Sequence, residues 1–347
     1  MADFNSTVSV GKREDLADVI YNVDPFETPV MNSIGRGSAH NIVWDWQVDE
    51  IGKGHATDTI VPEGHDFTQQ EQQSTDRLSS IMQINERGFG ITGTDEAIKK
   101  AGRGSELAYQ MAKVSKKLKM DMEMQLAGGH HQYTDNGGNV NTARKTPSVS
   151  SWISKNVIQV DGTNTSTLTG NTPAPVTGVA NGRGVWQEPG AASTAELTET
   201  HLQDLLTGIY MESGRSPNTL VVDPKTKTKI SNTFVGRATG QLQQSAKDKT
   251  VQSVVDVYIS DFGTLRIMPS RYIGGDLEKG GMALALDTSQ WSIDFLRSFN
   301  TYDLPKTGDH MRKALNVEWG LRCNNELSSG MIIDFAKGNP FASVSVA

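Results

Sequence analysis

The stretch from residue 40 to residue 92 constrains the fold of this chain most strongly. Residues 41–49 alternate apolar and polar side chains, which predicts a half-buried strand with Ile42, Trp44, Trp46 and Val48 on one face. A second strand is predicted from Ile81 through Ile84 towards Phe89 and Ile91. About 26 mostly polar residues separate the two, whereas a hairpin turn needs only about two to five. Such a two-stranded excursion is barely stable alone, so we expect it to lean on a surface outside its own domain.

Trp44 and Trp46 share one face of the predicted strand, and the pattern leaves two sites of burial open for them. They either pack in the core of one subunit or are covered by a neighbouring molecule, since the excursion has little of its own to cover such large rings. The second interpretation predicts a polypeptide whose outstretched parts are stable only when other copies cover them.

Residues 105–127 carry the clearest helical pattern. Ser105 is a suitable N-cap, Glu106 follows in the first turn, and Gly128 with Gly129 ends the helix. Its apolar stripe, in steps of three and four, consists of Leu107, Met111, Val114, Leu118, Met122 and Leu126. The helix is roughly 34 Å long. The lysines beside the stripe indicate a solvated face, or one that touches DNA or an acidic partner; they are Lys113, Lys116, Lys117 and Lys119.

Residues 195–290 are predicted to form a compact α/β unit. We expect a helix from Thr198 to Ser213 with Gly214 beyond its end, a strand over residues 219–222, and a second helix that begins at Asp223 and Pro224. A hairpin is predicted where Val255, Val257 and Ile259 alternate with polar residues before the turn at 261–263. Residues 282–286 add a further strand.

Residues 291–335 return to strand patterns. Trp291, Ile293 and Phe295 share a face of one strand, and a longer strand of roughly 30 Å carries Leu315, Val317, Trp319, Leu321 and Cys323 on one face. Residues 299–312 between them are predicted to form a polar loop. The Gly-, Asn-, Thr-, Ser- and Pro-rich residues 130–192 predict one short element near 148–158 and then a long loop. The whole pattern predicts an α+β fold.

Residues 1–39 are predicted to form an extended arm. A short helix over residues 14–22 is broken by Pro25 and Pro29, because each proline removes a hydrogen-bond donor and restricts the residue before it. An arm this thin cannot bury its own apolar side chains, among them Phe26, Val30 and Met31. These residues therefore need another surface, either on this chain or on a neighbour.

Composition limits the functions that are open to the chain. The 347 residues carry a net charge of −7 and a single cysteine, Cys323, which excludes a disulfide within the chain and a cysteine-rich metal site. No polybasic arm is present, so tight binding of nucleic acid is not favoured. No apolar run is long enough to span a membrane, and no signal-peptide pattern follows Met1, so we expect folding in a cytoplasm.

Common active-site motifs are absent from the sequence. It contains no phosphate-binding loop, no nucleophile elbow and no zinc-protease motif. His130, His131 and Asp135 come nearest to a metal cluster, but a solvated loop is the simpler interpretation. Cys323 lies on the apolar face of a strand, where an inert buried thiol is expected. We therefore expect no enzyme, no catalytic residue, no cofactor and no metal site.

The order of these parts is similar to the HK97-type fold of the major capsid proteins of tailed bacteriophages. An arm, a two-stranded loop, a long helix, an α/β unit and long terminal strands follow one another in both. Four local stretches resemble one branch of these head proteins: residues 11–16 (GKREDL), 28–35 (TPVMNSIG), 255–263 (VDVYISDFG) and 306–309 (KTGD). The resemblance spans nearly the whole chain and implies a structural subunit that tiles a head shell.

The resemblance also implies a division of the chain into domains. It comprises an N-terminal arm (1–39), an extended loop or E-loop (40–92), a peripheral domain (93–194, with a spine helix over 105–127, and 291–347), and an axial domain (195–290) with a central mixed sheet flanked by helices. Contacts between subunits are implied for Phe26, Val30, Met31, Trp44, Trp46 and Lys53 in the arm and E-loop. The loop 299–312 is implied to meet its copies at threefold positions through Asp303, Lys306, Asp309 and Arg312.

The assembly that the resemblance implies is an icosahedral shell of hexamers and pentamers. It encloses double-stranded DNA without reading its sequence, involves scaffold, portal and decoration proteins, needs no membrane, and is built in the bacterial cytoplasm to become the virion capsid. Lys53 is the only lysine of the E-loop. One relative crosslinks a loop lysine to asparagine, but no residue-by-residue match ties Lys53 to that lysine, so crosslinking is not expected. The alternatives are a surface-binding or decoration module, suggested by residues 130–192, and a hydrolase with scattered catalytic residues.

Overall fold

A computed structural model of the chain describes residues 26–49, 60–66, 75–100, 102–127, 143–153, 155–160, 195–237, 256–273 and 281–336. Its helices are α1 (Pro29–Ser33), α2 (Gly93–Ala97), α3 (Glu106–Ala127), α4 (Val149–Trp152), α5 (Glu199–Ser213) and α6 (Pro224–Arg237). Its strands are β1 (Gly35–Ser38), β2 (Val43–Val48), β3 (Asp76–Ile81), β4 (Gln83–Thr92), β5 (Val157–Gln159), β6 (Thr219–Val222), β7 (Val257–Ser260), β8 (Gly263–Pro269), β9 (Gly281–Leu286), β10 (Trp291–Asp303), β11 (His310–Cys323) and β12 (Gly330–Phe335). The predicted α+β class is confirmed.

A four-stranded sheet is built around the long antiparallel hairpin of β10 and β11. Its strand order is β1-β10-β11-β4, with β1 parallel to β10 and β4 antiparallel to β11. The apolar face predicted for β11 is buried, from Leu315 to Cys323. The predicted loop 299–312 is shorter than expected, since only residues 304–309 lie between the two strands. The polar side chains predicted a loop, but backbone pairing between β10 and β11 continues through them to the exposed tip of the hairpin.

Strands β2 and β3 pair with each other alone and form a two-stranded ribbon. Their antiparallel register runs from Val43 opposite Ile81 to Val48 opposite Asp76. The predicted pairing of a strand near 41–49 with a returning strand is therefore confirmed. The returning segment is not one continuous strand, however, because a break in the strand falls at the buried Met82. Residues before the break pair with β2, whereas those after it pair with β11.

A six-stranded mixed sheet forms the second layer, in the order β5-β12-β9-β6-β8-β7. The sequences of β6, β9 and β12 are mostly apolar, which is expected of strands that are covered on both faces. Helices α5 and α6 cover one face, where Leu206 and Ile230 pack with Leu220 and Leu265. The opposite face of the central strands joins a larger core that includes Leu118 of α3.

The predicted elements between residues 198 and 269 are confirmed. Helix α5 follows its N-cap Thr198 and ends before Gly214, whose φ of 65° is the left-handed conformation that glycine adopts readily. Helix α6 follows Asp223, whose carboxylate accepts a hydrogen bond from the Thr226 N–H at 3.2 Å. The β7–β8 hairpin turns at residues 261 and 262.

The extents of two predicted elements differ from those in the structure. The six-stranded sheet extends beyond residues 195–290, because β5 and β12 join it on the far side of β9. The single short element predicted near 148–158 is a helical turn, α4, followed by β5. Both differences arise from long-range pairing, since an apolar run predicts a buried strand without showing which sheet it joins.

Helix α3 occupies almost the whole predicted helical segment. Its first turn is capped as expected, with Ser105 Oγ accepting a hydrogen bond from the Ala108 N–H at 3.3 Å. Glu96 adds a cap from outside the helix, because its carboxylate accepts from the N–H groups of residues 106 and 107. The predicted stripe is fully buried only in its second half, at Leu118, Met122 and Leu126, whereas Met111 is 39% exposed.

Candidate assembly surfaces

Trp46 holds the two-stranded ribbon onto the body of the chain. Its side chain is 7% exposed, and its indole N–H donates to the Cys323 carbonyl at 3.0 Å. Its ring lies 5.7 Å from the ring of Trp152, and the Arg322 guanidinium lies 5.4 Å from its centroid. The ribbon is therefore attached through an aromatic contact and a buried hydrogen bond.

Trp44 makes a second, half-buried contact between the ribbon and the four-stranded sheet. Its indole N–H donates to the Asp294 carboxylate at 3.1 Å. The ring lies directly over Gly320 of β11, where an added Cβ would come within 2.2 Å of a ring carbon. Only glycine permits so close an approach at this position.

Helix α1 fastens the N-terminal segment to the long helix α3. Val30 and Met31 are 0% and 3% exposed, and each backbone N–H donates to one carboxylate oxygen of Glu123 at 2.8 Å. Strand β1 then continues the four-stranded sheet beside β10. The described part of the predicted arm, residues 26–39, thus packs on its own chain.

These contacts correct the expectation of where three of the predicted contact residues are covered. Val30, Met31 and Trp46 are buried by their own chain, because α3 and the β10–β11 hairpin supply the surface that they need. Periodicity indicates that such side chains need cover, but not which molecule provides it. A contact between subunits stays a prediction for Phe26, which is 39% exposed, and for the half-buried Trp44. Lys53 lies outside the described residues.

Asp303, Lys306, Asp309 and Arg312 lie close together at the tip of the β10–β11 hairpin, and all four are exposed. Asp303 pairs with Lys313 at 3.0 Å. The other three form no ion pair with any residue that the structure describes. A role in threefold contacts stays a prediction for these residues.

Residues 60–66, between the two strands of the ribbon, are exposed throughout. Ile60 is 73% exposed and Val61 is 58% exposed. Two adjacent β-branched apolar side chains in water indicate a surface that another molecule can cover. We call Ile60 and Val61 the ribbon tip.

Two more exposed apolar pairs lie on opposite sides of the six-stranded sheet. Tyr210 and Met211, on the helix side, are 47% and 74% exposed and form the α5 patch. Val257 and Ile259, on the edge strand β7, are 55% and 77% exposed and form the β7 patch. The intervening Tyr258 faces α5, where its hydroxyl donates to the Glu199 carboxylate at 3.1 Å.

Neither patch was predicted from the sequence. Tyr210 and Met211 fall off the apolar stripe of α5 (Leu202, Leu205, Leu206 and Ile209), so a signal for the α5 patch was present. The alternation in β7 predicts a strand but not which of its faces is covered. Among the described residues, Cys323 is buried as predicted. His130, His131 and Asp135 lie outside them.

The described residues contain no group of three or more His, Cys, Asp or Glu side chains arranged to hold a metal ion. Within the same residues, no helix combines the length and apolar character needed to cross a membrane.

Comparison with known proteins identifies the family. The model of the SU10 major capsid protein family matches residues 2–336. The chain belongs to the SU10 major capsid protein family. This capsid protein is also 24% identical over 349 residues to the major capsid protein of Escherichia phage Phieco32, covering 94% of this chain and 95% of that one.

Solved capsid structures share the fold of this capsid protein. The capsid of a native GTA particle, computed with C5 symmetry, has a TM-score of 0.61 at 10% identity and covers 95% of this chain and 97% of its own. A chain from Mycobacterium phage Bobi has a TM-score of 0.57 at 11% identity, covering 96% and 99%. These matches confirm the predicted HK97-like fold, and the family confirms the predicted major capsid protein of a bacteriophage, a constituent of the virion.

Proposed function

We propose that this capsid protein self-assembles into pentamers and hexamers, which form an icosahedral shell around double-stranded DNA. The observation that carries the proposal is the position of the α5 patch and the β7 patch on opposite sides of one sheet. A ring of identical subunits needs two different surfaces that fit each other, so that the front of one copy meets the back of the next. The C5 symmetry stated for the GTA capsid supports a fivefold ring.

The division into arm (1–39), E-loop (40–92), peripheral domain (93–194 and 291–347) and axial domain (195–290) is part of this proposal. The axial domain carries both apolar patches and would meet its copies around the ring. The ribbon tip, Ile60 and Val61, would lie on an adjacent subunit, because nothing described on its own chain covers it.

The charged hairpin tip supports contacts between rings. Lys306, Asp309 and Arg312 are exposed and carry both signs of charge, so copies that meet at a threefold position could pair them in alternation. Each exposed pair contributes only about 0–1 kcal/mol, so specificity rather than strength would come from these residues. Scaffold, portal and decoration proteins are the proposed partners, and assembly would take place in the bacterial cytoplasm.

The proposed role is structural rather than enzymatic. A surface-binding or decoration module was suggested by residues 130–192, of which the structure describes 143–153 and 155–160. These bury Trp152 and Val157 in the core, so they give that alternative no support.

Replacing Ile259 with aspartate is expected to prevent assembly while leaving the subunit folded. Because Ile259 is 77% exposed, its replacement should change the free energy of unfolding by less than about 0.5 kcal/mol. A carboxylate buried between two subunits is costly, so rings and shells should be lost. Light scattering after size-exclusion chromatography and negative-stain imaging would measure this, with Ile259→Val as the control that retains an apolar surface.

Two results would contradict the proposal at different levels. If Ile259→Asp formed shells as readily as the unmodified chain, the β7 patch would not be part of the interface. If the unmodified full-length chain remained a compact monomer at high concentration, self-assembly itself would be wrong.

A further inference from the structure

Glu123 is the most unusual charged group in the described part of the molecule. It lies in the buried half of α3, beside Met122, and it is 0% exposed. No salt bridge reaches its carboxylate from any described residue. Buried carboxylates normally have a cationic partner, because removing an unpaired charge from water is costly.

The partners of Glu123 are backbone groups of helix α1. The first N–H groups of a helix have no acceptor within the helix, and Pro29 at its first position has no N–H at all. Thr28 does not cap α1, since its hydroxyl instead accepts a hydrogen bond from the Asn32 amide at 3.0 Å. Glu123 satisfies both remaining donors, Val30 and Met31, at 2.8 Å each. It thus caps, from another element, a helix that lacks its own side-chain cap.

We propose that Glu123 is the clasp that holds the N-terminal segment on the long helix α3, and that protonation of its carboxyl sets how firmly the segment is held. The ionised and the protonated forms of this carboxyl differ in their free-energy cost. The ionised carboxylate accepts both N–H groups but is a buried charge. The protonated carboxyl is uncharged, but the oxygen that carries the proton is a weaker acceptor.

Burial dominates this balance and raises the pKa of Glu123 from 4.5 to about 7, although the two backbone donors act in the opposite direction. Helices α1 and α4, which pack against α3, contain no titratable side chain. The charged groups on the other packed elements have partners elsewhere: Asp95 with Lys100, Glu96 with Ser105, Glu86 with Tyr302, Arg87 with Asp121, Lys313 with Asp303, His310 with Thr307, Glu318 with Arg144 and Arg297, and Arg322 with Asn324. Arg312 is exposed, and Lys119 on α3 itself lies over the ring of Phe299.

The sign of the pH dependence follows from this raised pKa. In the closed state helix α1 is held on Glu123, and in the open state it has left α3, so that the Glu123 carboxyl is exposed and titrates near 4.5. The closed state therefore binds a proton more tightly than the open state. The extra stability of the closed state is therefore complete below about pH 4.5, declines as the pH rises, and is lost above about pH 7. Between about pH 5.5 and pH 8.5 the opening constant should increase roughly 30-fold.

Hydrogen exchange of the Val30 and Met31 amides tests the clasp in the full-length chain at low concentration. Their protection factors, corrected for the intrinsic effect of pH, should fall roughly 30-fold from about pH 5.5 to about pH 8.5. The amides of the β10–β11 hairpin provide an internal reference that should not change. In Glu123→Gln the side chain cannot ionise, so the same two amides should have similar protection at both pH values. Glu63→Gln, at an exposed carboxylate, should keep the unmodified profile.

Constant protection of Val30 and Met31 across this range in the unmodified chain would overturn the proposal. It would also be overturned if Glu123→Gln retained the same pH dependence as the unmodified chain. If that variant does not fold, the unmodified profile against its internal reference still decides the question. The clasp acts within one chain, so its test is independent of whether rings or shells form.

Discussion

Replacing Trp46 with alanine is expected to lower the free energy of unfolding of the unassembled subunit by about 4 kcal/mol. The substitution removes a large buried ring that packs on Trp152, and it removes the hydrogen bond to the Cys323 carbonyl. Because Trp46 supplies the largest buried side chain that attaches the ribbon, β2 and β3 should also be held less firmly on the four-stranded sheet. Denaturant unfolding measures the first effect, and hydrogen exchange of the β2 and β3 amides measures the second.

Trp46→Phe is the matched control for this experiment. Phenylalanine keeps an aromatic ring but has no N–H to donate, so its effect should be smaller, about 1–2 kcal/mol. A loss below about 1 kcal/mol for Trp46→Ala, with unchanged exchange in the ribbon, would show that the ribbon is held by something other than this contact.

Replacing Glu318 with alanine is the second substitution with a large expected effect, about 3 kcal/mol of lost stability. Glu318 is 4% exposed and receives Arg144 and Arg297, each at 2.8 Å. Removing the carboxylate leaves the Arg144 guanidinium largely buried without its partner, which is the costly way to break such a pair. The loss should also free the segment near Thr146, whose hydroxyl accepts a hydrogen bond from the Leu321 N–H at 3.0 Å.

Arg297→Ala tests the same cluster from its exposed side. The Arg297 side chain is 54% exposed, so water can replace most of what it loses, and about 1 kcal/mol or less is expected. Denaturant unfolding of Glu318→Ala and Arg297→Ala compares the loss of the carboxylate that binds both arginines with the loss of the exposed arginine alone. Equal costs for Glu318→Ala and Arg297→Ala would mean that Arg144 does not depend on the buried carboxylate.

Local patterns predicted those parts of the fold that local chemistry determines. Helix α3 follows a six-residue apolar stripe and an N-cap serine, and α5 lies between Thr198 and a left-handed Gly214. The β7–β8 hairpin follows alternation on both sides of a short turn. In each case the determining residues are neighbours in the chain, so their periodicity predicts the helix or strand that they form.

Contacts between distant segments could not be predicted in this way. The apolar run of β12 indicates a buried strand, yet nothing in it specifies β5 and β9 as its neighbours. The need of Trp46 for cover was visible, but its partner Trp152 lies more than a hundred residues away in the chain. Glu123 was harder still, because an acidic residue beside an apolar stripe usually faces water.

The position of β12 has a consequence for how the protein is made. This strand lies between β5 and β9, although it is translated after the other five strands of the sheet. Until residues 330–335 emerge, the sheet has a gap at which apolar strand edges are open. Translation products that stop short of this point would therefore be unable to close the sheet.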